Sequence, residues 1–358
     1  MSFAHPPMFL RLVTSRYTHF FCVGFLLMAT AVVISRVQRR PSSGPLREMP
    51  TAPVLPAALL TESKAGSSLL VGIFRDDGVI VPFAEYRNRE WSNPWGITTP
   101  EEPKTIADLP YPWYQAQTQG ARIWQLVVPS ETGQTATTSK TVQVASHCQE
   151  VWALPSDYAK ARKPEPNSWG ENLGIALNQP ANAGAIERVS RDSLEWMRVK
   201  KLVGTRFDRA EAAGLRKVLS KLYLEQIPPE AQRKKVPLSL LNLYQARLDD
   251  HRTIFFFEAN KEYPQPASAN DTTCNNMSLF IGWIVQERDQ LTILKTYFAS
   301  TNCDQKEGGP TQPLAVIHLD GKVFAIVVEY GWEGESYAIV EIGRRRLIRV
   351  LDTYAGSC

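Results

Sequence analysis

Five histidines in 358 residues, none placed to share a ligand with another, set the first limit on this chain. His5, His19, His147, His251 and His318 stand apart in sequence, so no zinc site and no other metal site is expected on local spacing. Cysteine is just as sparse. The five cysteines include no C-x-x-C pair, which excludes a zinc ribbon and a thioredoxin-like redox site. A P-loop, a dinucleotide fingerprint, a G-x-S-x-G elbow and an H-E-x-x-H helix are also missing. No cofactor is therefore expected, and no motif assigns a reaction.

The body of the chain is short of positive charge as well. Formal net charge is +4, but residues 1–47 hold Arg11, Arg16, Arg36, Arg39, Arg40 and Arg47 and no acid. Setting these six aside leaves 34 basic residues against 36 acidic ones. The basic balance belongs to the N-terminal arm, and no footprint for nucleic acid survives on the remainder.

Long apolar runs are likewise few, and one is informative. No charge occurs between Tyr17 and Ser35, and residues 20–34 are almost wholly apolar. As a helix these fifteen residues span roughly 22 Å, short of the ~30 Å hydrocarbon layer. Two readings of residues 1–35 stand side by side. One is a signal peptide, with Arg11 and Arg16 as its basic region and cleavage after Ala31 in Ala29-Thr30-Ala31. The other is an uncleaved anchor that meets the membrane through residues 20–34. Arg36, Arg39 and Arg40 just past the run would hold an anchored body on the cytoplasmic side by the positive-inside count. The cysteine pattern below argues for export. Residues 36–66, rich in Pro, Ser, Gly and Ala, read as a flexible linker.

What is present in quantity is turn chemistry: 25 prolines and 21 glycines break the chain into short elements and exclude a helical bundle. The expected class is mainly β (α+β), with antiparallel sheets and one or two packed helices between an N-terminal and a C-terminal β unit. Residues 67–158 form the N-terminal unit. A hairpin is expected at 67–74 and 79–86 around Asp76-Asp77-Gly78, with Pro82 marking an edge or a bulge. Further strands are expected at 121–128, 140–145 and 151–154. Residues 159–189 read as an irregular connector containing one strand, 173–177.

Residues 190–252 read as the helical segment. Leu215, Val218, Leu219 and Leu222 make one apolar stripe, Asp208 and Glu211 resemble a capping box, and Pro228-Pro229 ends the run. This predicts a helix over 208–225, and a second over 193–203. The C-terminal unit, 253–358, begins with strands at 253–259, 279–286 and 291–298. It closes in a four-strand antiparallel meander: 314–319, a type I′ turn at Asp320-Gly321, 322–330, 337–342 and 346–351. Strand 322–330 is apolar on both alternating sets, so both its faces are expected to be covered, one of them by the helix at 208–225. The two Asp-Gly hairpins do not recur at a spacing that would mark a propeller.

Beyond Cys22 the cysteines number four. Cys274 and Cys303 flank the strand pair 279–298, which predicts a Cys274–Cys303 disulfide, and Cys148–Cys358 then pair by elimination. Two disulfides place the body in an extracytoplasmic compartment.

Candidate chemistry is thin. Glu329, Glu333 and Glu335 around Trp332 offer carboxylates beside an aromatic, the parts of a glycosidase-like acid and base. The plainer reading is a polar hairpin loop. Trp91, Trp95 and Trp113, with Trp332, could form a stacking platform for a glycan or peptide, or simply cap a β core. The expectation is an exported or membrane-tethered β-rich protein acting as a non-catalytic binding or envelope component toward a protein or glycan partner. The alternative is an extracytoplasmic hydrolase using the carboxylates near 329–335.

Overall fold

The computed structural model describes residues 68–94, 122–131, 133–138, 141–146, 149–158, 161, 171–216, 227–263, 275–301, 311–331 and 334–357, all within the unit Ala57–Cys358. The protein is mainly β. Eighteen strands among these residues form three sheets, and every pairing is antiparallel.

The first sheet begins with the expected hairpin, β1 (Leu69–Arg75) and β2 (Val79–Arg87). Gly78 takes φ +79° in its turn. Pro82 marks a bulge. The register steps from Val71↔Ala84 to Gly72↔Pro82, so Phe83 is the extra residue. β3 (Glu90–Ser92) folds back on β2. β4 (Arg122–Val127), β5 (Thr135–Thr138), β6 (Val142–Ser146), β7 (Gln149–Pro155) and β8 (Asn172–Leu177) complete the order β5-β4-β8-β1-β2-β7-β6. The strand expected at 173–177 thus lies mid-sheet, between β4 and β1.

A bridge between Thr138 and Ser156, with Asp157 N–H donating to Thr137 O at 3.1 Å, joins β5 to the end of β7. That contact rolls six of the strands into a small barrel. Its interior is filled by Leu70, Phe74, Ile80, Trp124, Leu126, Ala136, Leu154 and Ala176. The Trp124 indole N–H donates to Thr138 Oγ1 at 3.1 Å, so its one polar group is satisfied inside the core. Gly72 faces this interior. A Cβ there would lie 2.6 Å from Ile80 Cγ2, so only glycine fits.

The second sheet has the order β10-β11-β12-β13-β14. It comprises β10 (Glu187–Arg188), β11 (Ser239–Arg247), β12 (Arg252–Tyr263), β13 (Asn276–Glu287) and β14 (Gln290–Thr301). β11 falls in the stretch read from sequence as helical. The third sheet is the predicted meander, β15 (Thr311–Leu319), β16 (Lys322–Tyr330), β17 (Gly334–Ile342) and β18 (Leu347–Ser357), extended at its β15 edge by β9 (Asn182–Ala185). Asp320 and Gly321 both have positive φ, +49° and +74°, as a type I′ turn requires.

The third sheet is the middle layer. Phe324, Ile326 and Val328 of β16 pack against the outside of the barrel, with Val71, Ile73 and Phe83 opposite. Val323, Ala325 and Val327 face the second sheet, meeting Ile254, Phe256 and Trp283. The expected two-sided burial of this strand holds, but the cover is two β layers. The helix lies one layer further out. Trp196, Val199, Val203 and Phe207 of α1 (Leu194–Leu215) pack on Leu243, Phe255, Phe257 and Phe280 of the second sheet.

α1 runs without a break from the helix expected at 193–203 into the one expected from 208. Ser193 is its N-cap and accepts from Trp196 N–H at 3.1 Å. Asp208 and Glu211 sit inside the helix and are not a capping box. Both are recruited by other elements: Asp208 by Lys261 Nζ at 2.7 Å, Glu211 by Arg233 Nε at 3.0 Å and by the Tyr263 hydroxyl. Arg233 belongs to the one-turn helix α2 (Glu230–Arg233), so its pair with Glu211 fastens α2 to α1. Residues 217–226, which carry most of the predicted stripe, lie outside the described residues.

Candidate functional site

Strand parity separates two of the three acidic candidates, Glu329 and Glu335. In the β16–β17 register Tyr330 stands opposite Glu335 and Glu329 opposite Ser336. Directly opposed residues share a face and successive residues alternate, so Glu329 and Glu335 project from opposite faces of the third sheet. They cannot flank one scissile bond. Glu329 is partly exposed and pairs with Arg349, whose other nitrogen reaches Asp352 Oδ2 at 2.7 Å. Glu333 and Trp332 lie outside the described residues.

Glu335 is 7% exposed and enters the seam between the barrel and the third sheet. Tyr337 O–H donates to its Oε1 at 2.5 Å, and Asn172 Nδ2 donates to Oε2 at 3.3 Å. The same amide donates to Tyr330 Oη at 3.0 Å. Tyr330 in turn donates to Gln312 Oε1 at 2.7 Å, and Gln312 Nε2 donates to Asn172 O at 3.0 Å. β8, β15, β16 and β17 thus each supply a member of one connected network.

Electrostatics keep the phenols neutral. Burial is the main cause that pushes Tyr330 up to about 12; the Asn172 hydrogen bond opposes it and the Glu335 charge adds to it. Tyr337 is raised well above its ordinary value, first by burial and then by the charge and hydrogen bond of Glu335, with Arg75 acting the other way. Both side chains are therefore fixed donors at neutral pH, unsuited to act as bases.

The neighbouring residue of β15 ties the third sheet to the layer on its other side. Thr311 N–H donates to Glu258 Oε1 at 2.9 Å, and Asn242 Nδ2 donates to Oε2 at 2.6 Å. Asn242 Oδ1 accepts from Arg188 at 2.7 Å. Glu258 is buried, and desolvation, the largest cause, raises its pKa against both hydrogen bonds and the Arg188 charge. Thr311 and Gln312 therefore hold the middle layer to the second sheet and to the barrel respectively. Chemically the arrangement is a clasp whose donors and acceptors are turned on one another.

The aromatic candidates divide. Trp91 is no open platform. It packs on Tyr86 at 4.9 Å and edge-on to Phe324 at 5.4 Å, at the margin of the barrel–meander core. Trp95 and Trp113 lie outside the described residues. So do Ala31, residues 20–34, Cys22, Cys148, Cys274, Cys303 and Cys358. Among the described residues no helix is long and apolar enough to cross a membrane, and no three His, Cys, Asp or Glu side chains gather as metal ligands would.

Sequence reasoning missed Asn172, Gln312 and Glu258. One signal was readable. Glu258 interrupts Ile254-Phe255-Phe256-Phe257 at the parity of Ile254 and Phe256, the parity of a buried face. Asn172 and Gln312 carried no such mark, because each sits at the start of its strand, where a polar residue is ordinary.

Fold and site together define a layered antiparallel β protein, a barrel and two sheets clasped by buried polar groups at one corner. Compared with protein-family models, with curated proteins and with solved structures, the chain matches none.

Proposed function

We propose that this chain is an exported or membrane-tethered protein whose disulfide-linked β body acts without catalysis, as a binding or envelope component. The observation that carries the reading is the end of the β13–β14 pair, where Met277 stands opposite Thr301. Cys274 precedes Met277 by three residues and Cys303 follows Thr301 by two. Two cysteines so near opposed strand ends favour a Cys274–Cys303 bond, and such bonds belong to oxidising compartments. The apolar run 20–34 gives the route of export or the tether. The non-catalytic part is supported by the separation of Glu329 from Glu335 and by the commitment of Glu335 to Tyr337 and Asn172. N-terminal sequencing of the protein recovered from its native compartment, with intact mass before and after reduction, tests the reading. A mature chain starting at Val32, or an intact N-terminus in the membrane fraction, together with oxidised cysteines, is expected. A cytosolic protein with free thiols refutes it.

A further inference from the structure

We propose that a cleft between two hairpin turns binds a small oxyanion, a phosphate or carboxylate group, with Arg288 as the residue that decides affinity. This deepens the binding reading above, on which it rests for its purpose, by giving the ligand's chemistry. The β11–β12 and β13–β14 turns lie side by side, joined where Arg288 N–H donates to His251 O at 3.1 Å. Between them opens a cleft of about 420 Å³ lined by Arg247, Asp249, His251, Arg252, Gln286 and Arg288, among others.

Two of its guanidinium groups are held in place. Arg252 Nε donates to Asp249 Oδ2 at 2.6 Å, and Arg247 reaches Asp250 Oδ1 at 3.1 Å and Asp249 O at 3.1 Å. Asp249 Oδ1 accepts from His251 N–H at 2.9 Å, which fixes the turn itself. Among the described residues no carboxylate lies within ion-pair distance of Arg288. The cleft therefore sets three guanidinium groups against two carboxylates, with a histidine beside them.

The backbone makes the second argument. Glu287 pairs with Gln290, so Arg288 and Asp289 are the whole loop, and Arg288 takes φ +56°. Hairpins of this length favour glycine where the first central residue is left-handed. Of the other left-handed positions, Gly78, Gly133, Gly321, Asn88 and Asp320 are types that tolerate it; Arg89 and Ser130, like Arg288, are not. An arginine held at a strained turn position, at the wall of a cleft and without a carboxylate partner among the described residues, is explained by what its side chain binds. A guanidinium fork matches the paired oxygens of a phosphate or carboxylate.

The test is calorimetric titration of the full chain at low ionic strength with inorganic phosphate, glycerol 3-phosphate and acetate, and with chloride as control. Saturable binding of at least one oxyanion is expected, weakened at least ~10-fold in Arg288→Gly and in Arg288→Asn. Arg288→Gly should also melt at a higher temperature than the parent, because glycine relieves the turn. Loss of binding in a stabilised variant is an outcome that damage to the fold cannot produce. No saturable binding at millimolar concentrations, or equal binding by Arg288→Gly, would overturn the proposal. So would binding to phosphatidylglycerol vesicles without binding to any soluble oxyanion, which would make the contact a property of charged surface. The N-terminus and thiol state of the same sample report separately on export.

Discussion

Glu335 and Glu329 sit six residues apart on one hairpin, yet opposite consequences are expected from removing them. Glu335→Ala strands the hydroxyl of Tyr337, which is 2% exposed and donates to Glu335 at 2.5 Å. Asn172 loses one acceptor but keeps Tyr330 at 3.0 Å. One buried hydroxyl left unpaired costs about 1–3 kcal/mol, and a lost hydrogen bond to a charged acceptor about 1.5–3 kcal/mol. These overlap for one pair, so a loss of roughly 2–4 kcal/mol is expected. Glu329→Ala breaks a partly exposed pair with Arg349, and about 0–1 kcal/mol is expected. Urea unfolding followed by far-UV circular dichroism measures both. A double-mutant cycle with Tyr337→Phe sharpens the test, because removing donor and acceptor together leaves nothing of that pair unmatched. Glu335→Ala/Tyr337→Phe should be less destabilised than the two single losses added, by on the order of 1 kcal/mol or more. Strict additivity, or a Glu335→Ala cost as small as that of Glu329→Ala, would refute the clasp.

Three further outcomes are expected. Burial raises the pKa of Glu258 above its ordinary 4.5, so its contribution to stability is fully present below that value and is lost as pH rises through the folded one. Glu258→Gln should therefore cost most stability below pH 4.5 and progressively less as pH rises above it; a gap that widens with rising pH would show the sign to be wrong. Ser193→Ala removes the acceptor for Trp196 N–H and should destabilise the fold by about 1 kcal/mol in denaturant melts, whereas Ser193→Asp should leave stability nearly unchanged. Replacing Cys274 and Cys303 together by alanine should lower stability under oxidising conditions by about 3–4 kcal/mol on the loop-entropy model and have no comparable effect in reductant. Equal stability of parent and variant without reductant would dispose of that bond.

Much of the architecture was written locally. Asp320-Gly321 between two β-branched runs could be read as a type I′ hairpin because the turn needs only those two residues and their neighbours. The two-sided apolar pattern of residues 322–330 correctly implied two covers, since burial of both alternating sets is a property of the strand itself. What covers each face is not. That depends on which distant surface offers a matching apolar set. The barrel supplies Val71, Ile73 and Phe83, and the second sheet supplies Ile254, Phe256 and Trp283. Both partners lie far away in sequence, and nothing in 322–330 distinguishes them from a helix. The same reasoning accounts for Asp208 and Glu211. Their spacing imitates a cap, but their partners are Lys261 and Tyr263 of the second sheet and Arg233 of α2, all distant in sequence. Glu329 and Glu335 separate for another reason. Glu329 and Glu335 look adjacent along the chain, but the β16–β17 register sets Glu329 opposite Ser336 and Glu335 opposite Tyr330, and that alone sends one outward and the other into the seam. Proximity in sequence across a hairpin is thus informative about side chains only once the pairing is known. Here the pairing turns a carboxylate that resembled a catalytic group into part of the clasp that binds the middle layer to the barrel.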